Sequence, residues 1–224
     1  MSLHLQRNID QLKKRLLALG AVTEESVRNA VFAIADRDTA LVNTVFASAP
    51  VIDHMEVELE EEGLKLLALH QPFAHDLRLI VAVLKINADL ERIGDLAVNI
   101  AKLAEFLNGR EPIEMPFNFR VMATRVQWML KASLDALVNE DLELARRVLK
   151  ADDEVDAIHR QAYAAIEERV RQDPDSVNCV LRMLSSSRHL ERIADHATNI
   201  AEDVIYFLSG DIVRHRGDAL SRMH

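Results

Sequence analysis

The sequence contains few of the residues that break or bend a chain: six glycines and five prolines among 224 residues. Because both residue types mark turns and loops, their scarcity predicts few turns and long regular elements. Alanine, leucine, glutamate and arginine are abundant instead, and all four favour helices. The only cysteine, Cys179, excludes an internal disulfide, and its apolar surroundings predict a small buried residue.

The sequence features of a membrane protein or a nucleic-acid-binding protein are also missing. The chain has no run of about 18 apolar residues, which argues against a membrane-spanning helix. Its first residues lack the basic-then-apolar layout of a signal peptide. A formal net charge of −9 disfavours general nucleic-acid binding and direct adsorption to anionic lipid. Together these absences predict a cytoplasmic protein.

Sequence motifs typical of catalytic sites are absent as well. The chain contains no glycine-rich phosphate loop, no nucleophile elbow and no Cys/His metal-binding spacing. Glu-x-x-His, which a ferritin-like di-metal core requires, does not occur. The sequence therefore offers no constellation for nucleophilic or acid–base catalysis, and a buried redox centre is disfavoured.

One phrase of the sequence is present twice. Residues 90–101 read LERIGDLAVNIA, residues 190–201 read LERIADHATNIA, and nine of the twelve positions are identical. Similarity continues upstream at an offset of 103, where Asp156 aligns with Asp53. The chain therefore consists of two related halves.

The apolar periodicity of each half predicts three long helices. Their predicted ranges are 4–36, 38–70 and 73–108, then 115–139, 141–171 and 175–209. Helices of about 30 residues are about 45 Å long, and short loops between them favour antiparallel packing. We predict an all-α protein of two tandem similar three-helix bundles, residues 1–110 and 111–224. A continuous six-helix array is the alternative.

Local signals at the helix ends agree with this division. Asp38 and Asp141 stand where N-caps of the two middle helices are expected, and aspartate is a favoured N-cap. Gly109 and Gly210 stand where the third helix of each half ends, which suits a C-terminal cap.

The repeated segment has one apolar and one acidic side on a helical wheel. The predicted core side comprises Leu90, Ile93, Ala97, Ile100, Ala101 and Ala104. The acidic side of the first half comprises Glu91, Asp95 and Asn99. The equivalent row of the second half comprises Glu191, Asp195 and Asn199. Side chains four residues apart on a helix are neighbours, so each row is a series of oxygen ligands.

The middle helices carry further carboxylates that antiparallel packing would set beside these rows. They are Asp53, Glu56 and Glu60 in the first half and Asp152 and Asp156 in the second. Carboxylate oxygens on rigid helices bind hard or borderline cations, so one metal site in each half is one interpretation. A plain solvated acidic face is the other. Ala49 occupies the place of Asp152 in the first half, so the two sites are predicted to differ.

The two repeated phrases, with HQPFAHDLRLIVAVLKINADLERIGD leading into the first and AEDVIYFLSG closing the second, resemble the PhoU family of bacterial phosphate-signalling proteins. The resemblance extends from NIDQLKKRLLALG to DIVRHR and includes both family motifs at the family's spacing. It implies a fold of two similar three-helix bundles.

The resemblance also implies that the Glu-x-x-x-Asp motifs carry metal, as iron or zinc clusters or with magnesium or manganese. Carried over by motif, the ligands would be Glu91, Asp95, Glu191 and Asp195, assisted by Asp53, Asp152 and Asp156. Asn99, Asn199, Glu56 and Glu60 extend this set. Arg78, Arg92 and Arg192 are candidates for contact with a partner or with phosphate, although pairing with nearby acids is the simpler interpretation.

The function implied by the resemblance is regulatory and non-enzymatic. Such a protein restrains the phosphate-starvation response and high-affinity phosphate uptake. It acts as a scaffold between the ATPase subunit of a phosphate ABC transporter and a sensor histidine kinase. It would be cytoplasmic, reach the membrane only through these partners, and form a homodimer. Two alternatives remain at this point: a carboxylate-cluster metalloenzyme resembling a phosphohydrolase, and a metal-free helical adaptor.

Overall fold

The computed structural model describes residues 3–211, with side chains from residue 4 onward. Within this range the chain forms six long α-helices and no strand, which confirms the all-α prediction. They are α1 (Leu3–Ala35), α2 (Thr39–His70), α3 (Ala74–Asn108), α4 (Phe119–Asn139), α5 (Leu142–Gln172) and α6 (Val177–Ser209). No helix of the described part is long and apolar enough to cross a membrane.

The predicted caps of the middle helices are confirmed. Asp38 Oδ1 accepts a hydrogen bond from the backbone N–H of Ala40 at 2.8 Å, before the first turn of α2. Asp141 Oδ1 accepts one from the N–H of Leu144 at 2.9 Å, before the first turn of α5. Each bond satisfies a donor that the helix start leaves without an intrahelical partner.

The glycines also end their helices as predicted, by two different geometries. Gly210 caps α6 with a φ of 81°, in the left-handed region that glycine enters without steric cost. Gly109 caps α3 with a φ of −77°, which any residue could adopt. Only the second half therefore uses the special conformational freedom of glycine at this place.

Two helix starts lie two to four residues later than the approximate predicted ranges. Helix α4 begins at Phe119 rather than at residue 115, because the Phe117 carbonyl accepts from the Phe119 N–H at 2.8 Å in a tight turn. Phe119 is buried and anchors the end of this turn in the core. Helix α6 begins at Val177 rather than at residue 175, after a 3₁₀ turn that Pro174 starts.

The third helices of the two halves, α3 and α6, form the centre of the molecule and run antiparallel. Lys85 Nζ donates to Asp203 Oδ1 at 3.1 Å. One turn along, Asp89 Oδ1 lies 2.8 Å from His196 Nδ1. Residue numbers thus rise on one helix while they fall on the other. Helices α1 and α2 pack on α3, and α4 and α5 pack on α6, so the two bundles share one central helix pair.

The predicted core side of the repeated segment is confirmed. Each of its six apolar residues is fully inaccessible to solvent: Leu90, Ile93, Ala97, Ile100, Ala101 and Ala104. Cys179 packs against the core but is only half-buried, because it lies in the first turn of α6 near the end of the bundle.

Candidate functional site

The carboxylates of the first half lie together along the groove between α2 and α3. Asn87 on α3 donates to both the backbone carbonyl and the Oε1 of Glu56 on α2, at 3.0 and 3.1 Å. Burial raises the pKa of Glu56 above its usual value, and the charges of Glu60, Glu91 and Asp53 raise it further. The structure therefore brings together four of the acids that the sequence singled out.

Glu91 lies between this groove and the row continuing along α3. Burial raises its pKa, the adjacent Arg92 opposes the rise, and Asp95 and Asp53 add to it. Arg92 Nε lies 3.3 Å from Glu91 Oε2, and Arg92 Nη1 lies 3.9 Å from Asp95 Oδ2. Asp95 itself is largely exposed. We define the first cluster as Asp53, Glu56, Glu60, Glu91 and Asp95. The guanidinium group of Arg92 lies at the edge of this cluster.

The carboxylates of the second half lie closer to the protein interior, between α5 and α6. Burial raises the pKa of Asp152 to about 7, and the charges of Asp195, Asp156, Asp153 and Glu191 contribute in that order. Asp152 Oδ1 is buried and accepts no hydrogen bond from any described residue. Burying a carboxylate oxygen without a hydrogen-bond donor costs free energy, so a proton or a bound cation would stabilise this atom.

The neighbours of Asp152 respond to the same environment. Burial raises the pKa of Glu191, and Asp195 and Asp156 raise it further, against the opposing charges of Arg188 and Arg192. Burial also raises the pKa of Asp195, and the charge of Asp156 raises it further. We define the second cluster as Asp152, Asp156, Glu191 and Asp195. Its members repel one another in the absence of a cation.

The two predicted asparagine ligands have different surroundings. Asn199 donates to Asp89 Oδ1 at 3.4 Å, and Asp89 Oδ1 is also within 2.8 Å of His196 Nδ1. This bond ties α6 to α3 and engages the amide nitrogen of Asn199. Asn99 lies partly buried on α3, and its role as a ligand stays a prediction.

Of the three arginine candidates, two have contacts within the protein. Arg92 pairs with the first cluster, as described above. Arg78 Nε donates to the backbone carbonyl of Phe207 at 3.3 Å, near the C-terminal end of α6. Arg192 is exposed and acts on Glu191 and Asp195 through its charge. The simpler interpretation, structural pairing, therefore describes Arg92, and Arg78 stabilises a helix end.

The sequence did not predict the contact between Asp89 and His196, which lies between the two clusters. His196 lies close enough to interact with both Glu91 and Asp195, which places this imidazole between the clusters. Its partner Asp89 aligns with His189 in the second half, and His196 aligns with Leu96 in the first. Because the comparison of the halves gave weight to identical positions, these non-identical ones carried no signal.

Neither cluster is closed around an ion as it stands. Across residues 3–211, no group of three or more His, Cys, Asp and Glu side chains converges into a ready metal-binding arrangement. The second cluster suits a cation better than the first, because its Asp152 Oδ1 is buried without a hydrogen-bond donor. In the first cluster Asn87 already donates to Glu56 and Arg92 already pairs with Glu91. The metal ligands stay a prediction.

The arrangement of two equivalent helical units agrees with a comparison to protein-family models. The model described as the PhoU domain matches the chain twice, over residues 16–104 and 119–204. The chain belongs to the PhoU family. Its two family domains correspond to the α1–α3 and α4–α6 units of the structure.

Curated relatives and solved structures agree with membership in the PhoU family. A Pseudomonas aeruginosa protein named "Phosphate-specific transport system accessory protein PhoU homolog" is 38% identical, over 100% of this chain and 92% of its own length. A Clostridium acetobutylicum protein of the same name is 34% identical, over 92% of this chain and 94% of its own.

The crystal structure of PhoU from Pseudomonas aeruginosa superposes with a TM-score of 0.88 at 37% identity, covering 92% of this chain and 99% of that one. The phosphate transport system regulatory protein PhoU from Streptococcus pneumoniae gives a TM-score of 0.82 at 26% identity, covering 93% and 99%.

Proposed function

We propose that this PhoU-family protein is a non-enzymatic negative regulator of the phosphate-starvation response and of high-affinity phosphate uptake. Relatives that match nearly the whole chain are named accessory proteins of the phosphate-specific transport system, which supports a role beside a transporter. The partners would be the ATPase subunit of the phosphate ABC transporter and the sensor histidine kinase of the phosphate two-component system. The protein would be cytoplasmic, peripheral to the membrane through these partners, and homodimeric.

In this role the chain acts as a scaffold whose acidic face changes charge when it binds metal. The observation that carries the metal proposal is the buried, unsatisfied Oδ1 of Asp152, with its pKa raised to about 7 by burial and by neighbouring acids. Asp152, Asp156, Glu191 and Asp195 would hold the ion in the second half. Its positive charge would remove the repulsion among these carboxylates.

The first cluster would bind metal differently. Asp53, Glu91 and Asp95 would be its ligands, with Glu56 and Glu60 beside them. Ala49 in place of Asp152 leaves it without an inner carboxylate, so we expect the weaker affinity there. Iron and zinc are the proposed metals, with magnesium and manganese as the alternatives that oxygen ligands also suit.

The regulatory role can be tested with an alkaline phosphatase reporter in phosphate-rich medium, in a strain lacking any second PhoU-family gene. Deletion of this gene should give high expression, and the wild-type gene should restore repression. Low expression in the deletion strain would rule the role out. Complementation with Asp152→Asn, compared with the exposed control Glu168→Gln on the same helix, then tests whether the second cluster contributes to regulation.

A further inference from the structure

Exposed apolar side chains concentrate on α2 and on the corner that joins it to α3. Val57 and Leu64 on α2 are 52% and 53% exposed. Phe73 in the corner is 83% exposed, and Leu77 in the first turns of α3 is 41% exposed. We call these four residues the apolar patch. Large apolar side chains that gather on a surface mark an interaction site more often than single ones do.

The four side chains are arranged along two neighbouring helices. Val57 and Leu64 are seven residues apart, so they lie two turns apart on one side of α2. Leu77 follows the N-cap residue Phe73 by one turn of α3. The helices approach closely beside Leu64, since a Cβ added at Gly63 would lie 2.6 Å from Leu84 Cδ2. The patch therefore runs beside the line along which α2 and α3 pack.

The second half shows that the fold does not require apolar residues here. At the offset of 103, Arg160 stands in the place of Val57 and Glu167 in the place of Leu64. Arg160 Nη1 lies 3.4 Å from Asp156 Oδ2, and Glu167 pairs with Arg171, so both replacements belong to solvated ion pairs. The same two helical positions are thus charged in one half and apolar in the other, so the fold itself does not require Val57 and Leu64 to be apolar.

The backbone of the corner is strained in a way that presents Phe73. Gln71 and Ala74 have φ angles of 43° and 45°, in the left-handed region that non-glycine residues rarely adopt. Each such residue costs on the order of 1 kcal/mol. The two flank Pro72 and Phe73, and the latter gains no burial in return. Gln71 forms the C-cap of α2 and Ala74 begins α3, so the corner holds Phe73 between two helix ends in an exposed position.

The charge around the patch indicates the kind of partner. Glu56 lies along the same pair of helices, and the charges of Glu60 and Glu91 act on it, with Arg92 beside Glu91 as the opposing cation. A second copy of this chain in a symmetric contact would bring two such acidic groups together. Four partly exposed side chains also offer roughly half of the about 800 Å² per partner that a stable dimer buries. Both considerations disfavour self-association through the patch.

We propose that the apolar patch docks an amphipathic helix of a partner protein, whose apolar stripe is flanked by lysine or arginine. The seven-residue spacing of Val57 and Leu64 matches the repeat of such a stripe, and a groove between two helices is a common seat for a third. The basic flank would face Glu56 and Glu60, which lie beside the proposed metal ligands Asp53, Glu91 and Asp95. This inference gives the proposed scaffold one of its docking surfaces and rests on that role only for the existence of a partner.

Fluorescence anisotropy with two synthetic helical peptides of about 18 residues tests the proposal directly on the full chain. Both peptides carry the same leucine stripe, flanked in one by lysine and in the other by glutamate. The lysine-flanked peptide should bind about tenfold or more tightly, and its binding should weaken as salt is raised.

Variants locate the binding. Leu64→Ser and Phe73→Ser, both at exposed positions and therefore compatible with folding, should each weaken the lysine-flanked peptide about tenfold. Leu181→Ser and Tyr163→Ser are the matched controls in the second half, since these residues are 49% and 53% exposed, and they should leave binding unchanged.

Three outcomes would overturn the docking proposal: equal binding of the two peptides, unchanged binding by Leu64→Ser and Phe73→Ser, or equal weakening by the control variants. Analytical sedimentation of the wild type and Leu64→Ser tests whether a second copy of this chain occupies the patch instead. A dimer that forms in the wild type and is lost in the variant would assign the patch to that second copy. The reporter separates the two proposals. Repression that wild type and Leu64→Ser restore equally, with no peptide binding, removes the docking surface and leaves the regulatory role intact.

Discussion

The two halves of the molecule hold the same helical frame around different polar contacts. In the first half Asn87 donates to Glu56, a bond that joins α3 to α2. At the aligned positions of the second half, Ser187 Oγ lies 3.0 Å from His159 Nδ1 and joins α6 to α5. The first contact holds a carboxylate in place. The second uses neutral partners, because burial lowers the pKa of His159 below its usual value.

The same contrast extends to the acidic clusters. Asp152 adds an inner carboxylate to the second half, whereas Ala49 stands at its place in the first. Burial acts on Asp152 more strongly than on Glu56 or Glu91, and only the second cluster has a buried carboxylate oxygen without a donor among the described residues. The two similar bundles therefore carry related acidic clusters, and the carboxylates of the second are the more destabilised without a cation.

The largest expected effect tests how far the two halves are one folding unit. Ile93 and Ile193 occupy aligned positions and are both fully buried. Replacing either with alanine should lower the free energy of unfolding by about 2–5 kcal/mol, because each change leaves a cavity in the core. Calorimetry should show one transition that either substitution shifts, since α3 and α6 pack together. Val121→Ala, at an exposed position of α4, serves as the control with little change.

Two separate transitions, each moved by only one of these substitutions, would show instead that the halves unfold independently.

The next largest effect concerns metal affinity. Asp152→Asn should weaken zinc or manganese binding by about 10- to 100-fold, because it removes a charged oxygen from the second cluster. Competition with a fluorescent chelator measures the change. Glu168→Gln removes one exposed charge from the same helix and should leave the affinity as it is. Equal losses in the two variants would mean that overall charge, and not the cluster, governs binding.

A substitution in the first half should reduce the expected difference in metal affinity between the two clusters. Ala49→Asp supplies the missing carboxylate one turn before Asp53. In an Asp152→Asn background it should raise metal affinity about tenfold, since an added charged ligand strengthens an oxygen site. Without metal the same change should lower the melting temperature, because like charges four residues apart repel. An affinity that does not rise would show that the first groove is not a metal site.

The smallest expected effect is the pH dependence of the metal-free protein. Asp152 has its folded-state pKa raised from 3.8 to about 7, so the folded state holds this proton more tightly than the unfolded state. The resulting stability is present near pH 4 and is lost as the pH rises toward about 7. Asp152→Asn never ionises. It should therefore melt about 2–4 °C above wild type at about pH 8, or roughly 1 kcal/mol after allowance for partial exposure.

At about pH 4, where Asp152 is protonated in the folded wild type, the two proteins should melt at similar temperatures. A gap of the same size at both pH values would assign the effect to packing rather than to the charge.

Much of the frame could be predicted from the sequence because its signals are local. The 3.6-residue period of apolar residues predicted the six helices and the fully buried side of the repeat. Asp38 and Asp141 act through N–H groups two or three residues away, so their caps were predictable. The start of α4 was not, since the burial of Phe119 depends on residues distant in the chain.

The candidate site was predicted only in part, for a related reason. Helical spacing placed Glu91 and Asp95 on one row, and the structure set that row beside the acids of α2 as antiparallel packing required. The bond between Asp89 and His196 lay outside any pattern, because these residues are far apart in sequence and differ between the halves.

The sequence by itself thus determined the helices, their caps, their core faces and the family. The tertiary structure alone decided which oxygen is left without a donor, which imidazole lies between the clusters and which apolar side chains stay exposed. Asp152 and Ala49 differ by one carboxylate in sequence, but burial gives that carboxylate its raised pKa. Burial depends on how neighbouring helices pack, and that property belongs to the assembled fold rather than to any one segment.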